Sequence, residues 1–271
     1  MMFLTCHYFS LVLNRNVEIN VVVPTPEGNE QITAEGKAQR YDYEGGLPVV
    51  YLLHGAYGDN SSWMRFSSIE RYAQAHNCIA VMAGVENSFY QDMVHGSRYF
   101  TYMTEELPAY ITRIFPASKR REDTYIAGFS MGGYGAYFLA LSRPDLYCKA
   151  ASMSGALDIA ALYEAAKSGT VDSPFDWRQS FGDVVDHLAG SDRDLFALYE
   201  KDKAEGLVPE LYQSCGDQDF LFEINRAAYQ RFTALGAQIE YHEVPDHMHN
   251  WDFWDLDIRR ILDWMLPMAA N

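Results

Sequence analysis

The chain is short of several things, and each shortage removes a class of protein. Its longest apolar runs, such as PVVYLL and CIAVMAGV, fall well below the roughly 20 residues that a membrane-crossing helix needs, so no membrane partner is expected. Four cysteines, Cys6, Cys78, Cys148 and Cys215, stand far apart with no C-x-x-C among them. They read as buried free thiols rather than as a disulfide framework, a zinc site or a redox pair. Basic residues are outnumbered, 21 against 37 acidic, for a net charge of −16. A surface of that sign repels nucleic acid and anionic lipid, favours solubility, and is silent about substrate. The amino terminus, MMFLTCHYFSLVLNRN, has no basic stretch ahead of its apolar residues and no small-residue cleavage site. A secretory leader is therefore not expected, and the expected compartment is cytoplasmic. Internal repeats, low-complexity tracts and domain linkers are missing too.

What is present is an alternation of strand and helix patterns along 271 residues, a length one large domain can use in full, so a single domain over 1–271 is expected. HYFSLVL and VEINVVVP, split by the turn-like NRN, predict an antiparallel strand pair ending at Pro24. The polar, Gly- and Pro-containing stretch PTPEGNEQITAEGKAQRYDYEGG predicts a loop between strands. PVVYLLHG, CIAVMAGV, TYIAGF, KAASMSGA, ELYQSC and AQIEYHEVP then read as strands. Helical spacing runs through SIERYAQAHN, TYMTEELPAYITRIF, YGAYFLALSRPD, EINRAAYQRFTALG and FWDLDIRRILDWML. This alternation predicts an α/β fold, a mostly parallel, doubly wound sheet with helices on both faces. Between Leu157 and Val208 the rhythm breaks into short helical pieces. An excursion of that length is a lid-like insertion over a site or extra packing on an edge.

One stretch stands apart. Gly128-Phe129-Ser130-Met131-Gly132 follows the strand TYIAGF and opens a helix. G-x-S-x-G in that context is a nucleophile elbow, in which serine sits on a sharp turn that small neighbours make possible. The pattern by itself arises by chance in on the order of one in ten chains of this length, so its placement is what matters. In a doubly wound sheet, ligands bind beyond the carboxyl ends of the strands, where this turn lies. A serine hydroxyl needs a base, and the base needs an orienting acid; with this elbow the chain order is Ser, then Asp or Glu, then His. After ELYQSC come Asp217 and Asp219, and after QIEYHEVP come His247 and His249. Each pair offers a candidate at a strand's carboxyl end. Backbone donors for the oxyanion are expected from Met131 and from the HG turn after the first parallel strand, where Ala56 is the candidate and Tyr57 the alternative.

These residues resemble a known family, the α/β-hydrolase esterases grouped with esterase D, S-formylglutathione hydrolase and bacterial tributyrin esterases, with feruloyl esterases and mycolyltransferases as relatives. The resemblance spans nearly the whole chain, through FSLVLNRNVEINVVVP, LLHGAYGDNSSW, EELP, IAGFSMGGYGA, SGALDI, SCGDQDFLF and HMHNWDFWD. It implies that the acid is the second Asp of CGDQDFL, Asp219, and that the base is the His of H-x-W-x-x-W, His249 before Trp251 and Trp254. Relatives often form homo-oligomers, which makes one an expectation here. Esterase D members that act on thioesters carry a longer, cysteine-containing loop after the HG turn, which AYGDNSSW does not match, so S-formylglutathione is not the expected substrate.

The expectation is a serine carboxylesterase for short acyl or small aryl esters, acetyl, butyryl or feruloyl, working through an acyl-enzyme with no metal and no cofactor. Trp63, Tyr134 and Trp251 are the candidate substrate-binding residues, with Phe89, Phe175 and Trp177 as further aromatic candidates. Three other readings use the same residues: a thioester hydrolase of the S-formylglutathione type, acyl transfer to an alcohol by the same triad, and a catalytically silent module that binds acylated glycans.

Overall fold

The computed structural model describes residues 1–26, 43–171, 173 and 175–266. Most of the loop expected between the second and third strands therefore lies outside the described residues. Among the described residues, eight strands form one sheet in the order β1-β2-β4-β3-β5-β6-β7-β8: β1 Met2–Ser10, β2 Arg15–Val23, β3 Val49–Leu53, β4 Ile79–Ala83, β5 Thr124–Phe129, β6 Lys149–Met153, β7 Glu210–Gly216 and β8 Ile239–Val244. β2 pairs antiparallel with both β1 and β4, and every other pairing is parallel. The order reflects the residues. β3, β4 and β5 are buried along their whole length and carry near-continuous apolar runs, as strands covered on both faces must. β1, at the edge, alternates: Leu4, Cys6 and Tyr8 pack inward while Phe3, Thr5 and Phe9 face out.

Helices cover both faces. One core cluster holds α5 (Met131–Ser142) against β5 and β6; the other holds α2 (Ile69–Ala75) and α10 (Trp251–Met265). The stretch read as one helix at TYMTEELPAYITRIF is divided into α3 (Tyr99–Thr101), a π segment over Tyr102–Glu106, and α4 (Leu107–Ile114). Pro108 lies in the first turn of α4, and its missing N–H and bulky ring make the wider π turn a natural accommodation. Glu106, carried on that turn, accepts hydrogen bonds from Ser10 Oγ and from Leu11 N, which fastens the β1–β2 turn. A five-residue helix, α1 (Ser62–Phe66), closes the turn after β3 and was not foreseen.

The excursion at 157–208 serves two purposes. Its last part is α8 (Leu195–Glu205), which packs on α5 and on α9 (Phe222–Ala234) through Phe196 and Tyr199 around Phe232. That is the ordinary crossover helix of a parallel sheet. The earlier part, α6 (Ile159–Lys167) and α7 (Trp177–Phe181), sits over the carboxyl ends of the strands. Backbone bonds from Val94 N to Ser180 O at 3.3 Å and from His95 N to Gln179 O at 3.0 Å tie it to the loop after β4.

Candidate active site

Ser130 joins β5 to α5 with φ 57° and ψ −121°, a conformation that costs of order 1–3 kcal/mol for a residue with a side chain. The surroundings enforce it. Ser130 N donates to Met153 O at 2.9 Å, and Ser130 O accepts from Ala156 N at 3.2 Å. A Cβ on Gly128 would lie 2.2 Å from Gly132 O, and one on Gly132 would lie 2.6 Å from His54 O. Both G positions of the motif thus permit a backbone approach that no other residue allows.

His249 Nε2 is 3.0 Å from Ser130 Oγ, and His249 Nδ1 is 2.8 Å from Asp219 Oδ2 and 3.0 Å from Oδ1. The Asp219 side chain is fully buried, the His249 ring partly so. Asp219 Oδ1 also accepts from Leu221 N at 2.8 Å, which fixes the carboxylate. The other members of the two candidate pairs do different work. Asp217 Oδ1 accepts from Asp246 N at 2.8 Å, bracing one loop on the other, and His247 packs its ring on Phe253.

The HG turn is pinned from several sides. His54 is 1% exposed; its Nε2 accepts from Val85 N at 3.0 Å and its Nδ1 donates to Gly55 O at 2.7 Å. Burial lowers its pKa, consistent with the neutral ring that this pair of bonds requires. Tyr90 Oη donates to His54 O at 2.9 Å. Tyr57 N is taken by Asn87 Oδ1 at 2.8 Å, which removes Tyr57 as a donor to substrate. The N–H groups of Ala56 and Met131, by contrast, make no hydrogen bond to any described residue. Met131 N opens α5, where unpaired donors and the helix dipole favour negative charge.

Ser130, His249, Ala56 and Met131 line a cavity of about 410 Å³. One wall is aromatic: Phe66, Phe129, Trp251 and Trp254, with Trp251 wedged edge-on between Trp63 and Trp254. The other comes from the insertion, with Leu162, Val171 and Phe175; Phe175 stacks on Tyr57 at 5.6 Å between ring centroids. Among the described residues, no lysine or arginine lines it. Of the six aromatic residues named from sequence, Phe89, Phe175 and Trp251 reach the cavity and Trp63, Tyr134 and Trp177 do not. Trp63, 1% exposed, donates from Nε1 to Leu53 O at 3.1 Å and stands behind Trp251. Tyr134 is 0% exposed behind Phe89, its Oη donating to Arg193 O at 2.9 Å. Their assignment to substrate is therefore corrected: both have polar ends consumed by backbone carbonyls and rings consumed by the core. Phe66, Leu162 and Val171 were missed. Only the break in rhythm after Leu157 pointed to the latter two, and no spacing distinguishes a cavity-facing leucine from a core one.

The sheet order, the serine elbow after β5 and the insertion above the strand ends define an α/β-hydrolase. Comparison with known proteins agrees and goes further. The model of the Esterase family matches residues 29–265, and the chain belongs to that family. It is 30% identical over 268 residues to an acetyl esterase of Caldicellulosiruptor saccharolyticus, with 97% of each chain covered. Among solved structures it is similar to the Staphylococcus aureus fluorophosphonate-binding serine hydrolase FphF, with a TM-score of 0.84, 29% identity and 98% of each chain covered. It is also similar to the S-formylglutathione hydrolase FrmB of Staphylococcus aureus, with a TM-score of 0.81, 29% identity and the same coverage. The protein is a carboxylic ester hydrolase. No helix among the described residues is long and apolar enough to cross a membrane.

Proposed function

We propose that the protein hydrolyses esters of short acyl or small aryl acids through a covalent acyl-enzyme on Ser130. The observation that carries this is the unbroken chain of hydrogen bonds from Asp219 through His249 to Ser130 Oγ in the wall of an apolar cavity. Ser130 Oγ attacks the ester carbonyl carbon while His249 Nε2 takes its proton. Asp219 holds the ring with Nδ1–H toward itself and stabilises the imidazolium. The carbonyl oxygen, now negative, is met by the Ala56 and Met131 N–H groups, each worth about 3 kcal/mol of transition-state stabilisation in sites of this type. Collapse of the tetrahedral intermediate breaks the bond to the alcohol, which leaves with the proton from His249. Water, deprotonated by the same ring, then releases the acid.

Cavity size and chemistry support the substrate class. About 410 Å³ is at the small end for ligand pockets, and its walls offer rings and aliphatic carbons. The likeness to an acetyl esterase points the same way. The likeness to an S-formylglutathione hydrolase supports testing a thioester as well, although among the described residues the lining offers no lysine or arginine to pair with the carboxylates of glutathione. The test is turnover of p-nitrophenyl esters from acetate to decanoate, methyl ferulate and S-formylglutathione by wild type, Ser130→Ala, Asp219→Asn and His249→Ala. Wild type should favour the shortest chains, and each folded variant should lose at least about 10³-fold in kcat. Full activity in Ser130→Ala would sink the proposal.

A further inference from the structure

We propose that Asn225 is a positioning residue for this reaction: its side-chain amide locks the loop that supports the nucleophile to the loop that carries the acid. The inference rests on the Ser130–His249–Asp219 reading above.

Asn225 lies in the first turns of α9 and is 0% exposed. Its Nδ2 donates to Gly155 O at 2.9 Å and to Leu221 O at 3.0 Å, so both amide protons are used. The orientation is fixed, because a flipped amide would turn Oδ1 toward two carbonyl oxygens. The two acceptors belong to different parts of the site. Gly155 precedes Ala156, whose N–H bonds Ser130 O and whose side chain lines the cavity. Leu221 donates its own N–H to Asp219 Oδ1 and also lines the cavity. One amide thus fixes the span between the backbone behind Ser130 and the backbone behind Asp219.

The amide is itself held. Gln213 Nε2 donates to Asn225 O at 2.6 Å and approaches Asn225 Oδ1 at 3.4 Å. Gln213 pairs in register with Ser152 on the neighbouring strand, and the Gln213 Oε1 and Ser152 Oγ atoms find no hydrogen-bond partner among the described residues. A buried polar cluster with unmet acceptors is a costly arrangement for a core to keep. What it delivers here is a fixed distance between two loops that must be right for a proton to pass from Ser130 to His249.

The experiment compares wild type with Asn225→Asp and Asn225→Ala, using a short p-nitrophenyl ester and thermal melting on the same preparations. Asn225→Asp is nearly isosteric but turns an acceptor toward one or both carbonyls. Phe232→Leu serves as a control for stability alone: it lies on the same helix, 0% exposed, and packs on Tyr137, Phe196 and Tyr199 away from both loops. Loosened geometry should lower kcat on the order of 10- to 100-fold with KM unchanged within about two-fold, while Phe232→Leu melts earlier and keeps kcat. The proposal is overturned if the folded Asn225 variants keep kcat, if KM carries the loss, or if Phe232→Leu loses as much kcat. It is also overturned if neither Asn225 variant folds, since the amide then holds the fold and not the site. Ser130→Ala, assayed alongside, separates the two readings: activity in that variant removes the triad and this proposal together, whereas a dead Ser130→Ala with normal Asn225 variants removes this proposal alone.

Discussion

Asp202 gives a quantitative test far from the cavity. It lies on α8, 1% exposed, and its Oδ2 has no hydrogen-bond partner among the described residues. Burial pushes its pKa up from 3.8 to about 7, with Glu205 adding to the rise and Lys201 opposing it. The folded state therefore holds a proton that the unfolded chain gives up near pH 4. The contribution of Asp202 to stability is fully present below that point, is lost as pH rises through about 7, and changes no further above it. Full conversion of the shift would give about 4 kcal/mol. Once charged, the carboxylate relaxes toward water and Lys201 at the carboxyl end of the helix, so roughly half of that, about 2 kcal/mol, is expected. Asp202→Asn removes the titration and keeps the shape. Its melting temperature should match wild type near pH 4.5 and exceed it by about 4–8 °C at pH 8, given about 2–4 °C per kcal/mol for a domain of this size. Melting followed by circular dichroism at half-unit pH steps reads the difference directly. A gap that stays constant from pH 4.5 to 8 would refute the argument, because a titrating group cannot produce it.

Two further outcomes concern the site. Gly132→Ala places a Cβ 2.6 Å from His54 O and 2.7 Å from Leu53 O, so the elbow must move; kcat should fall by at least about 100-fold, with far-ultraviolet circular dichroism retained. Phe175→Ala and Trp63→Phe separate cavity wall from support. The first removes a ring that lines the cavity and should raise KM for phenyl esters several-fold. The second removes the bond to Leu53 O and part of a buried ring behind Trp251 and should cost about 2–3 kcal/mol of stability with KM unchanged.

Strand identity and order of chemistry were legible because the physics that sets them is local. Fully buried strands need unbroken apolar runs, which PVVYLL and TYIAGF supply, and an elbow needs glycines where backbones touch, which Gly128 and Gly132 supply. Asp219 and His249 could be chosen over Asp217 and His247 only by resemblance, since each pair falls in one loop and spacing does not say which side chain turns inward. The aromatic residues failed for a related reason. Trp63 and Trp251 touch at 5.1 Å between ring centroids, yet only one borders the cavity, and the difference lies in which ring stands in front. α1 is too short to show a period, and the insertion's wall is built from side chains whose partners are distant in sequence.

The central claim is that Ser130 becomes acylated, and mass spectrometry of the intact protein tests it most directly. Incubated with a fluorophosphonate, and separately quenched in acid during turnover of p-nitrophenyl butyrate, the protein should gain the mass of one phosphonyl or one butyryl group. Peptide mapping should place it on Ser130, Ser130→Ala should gain nothing, and His249→Ala should label far more slowly. A stoichiometric adduct on any other residue, or undiminished labelling of Ser130→Ala, would contradict the account.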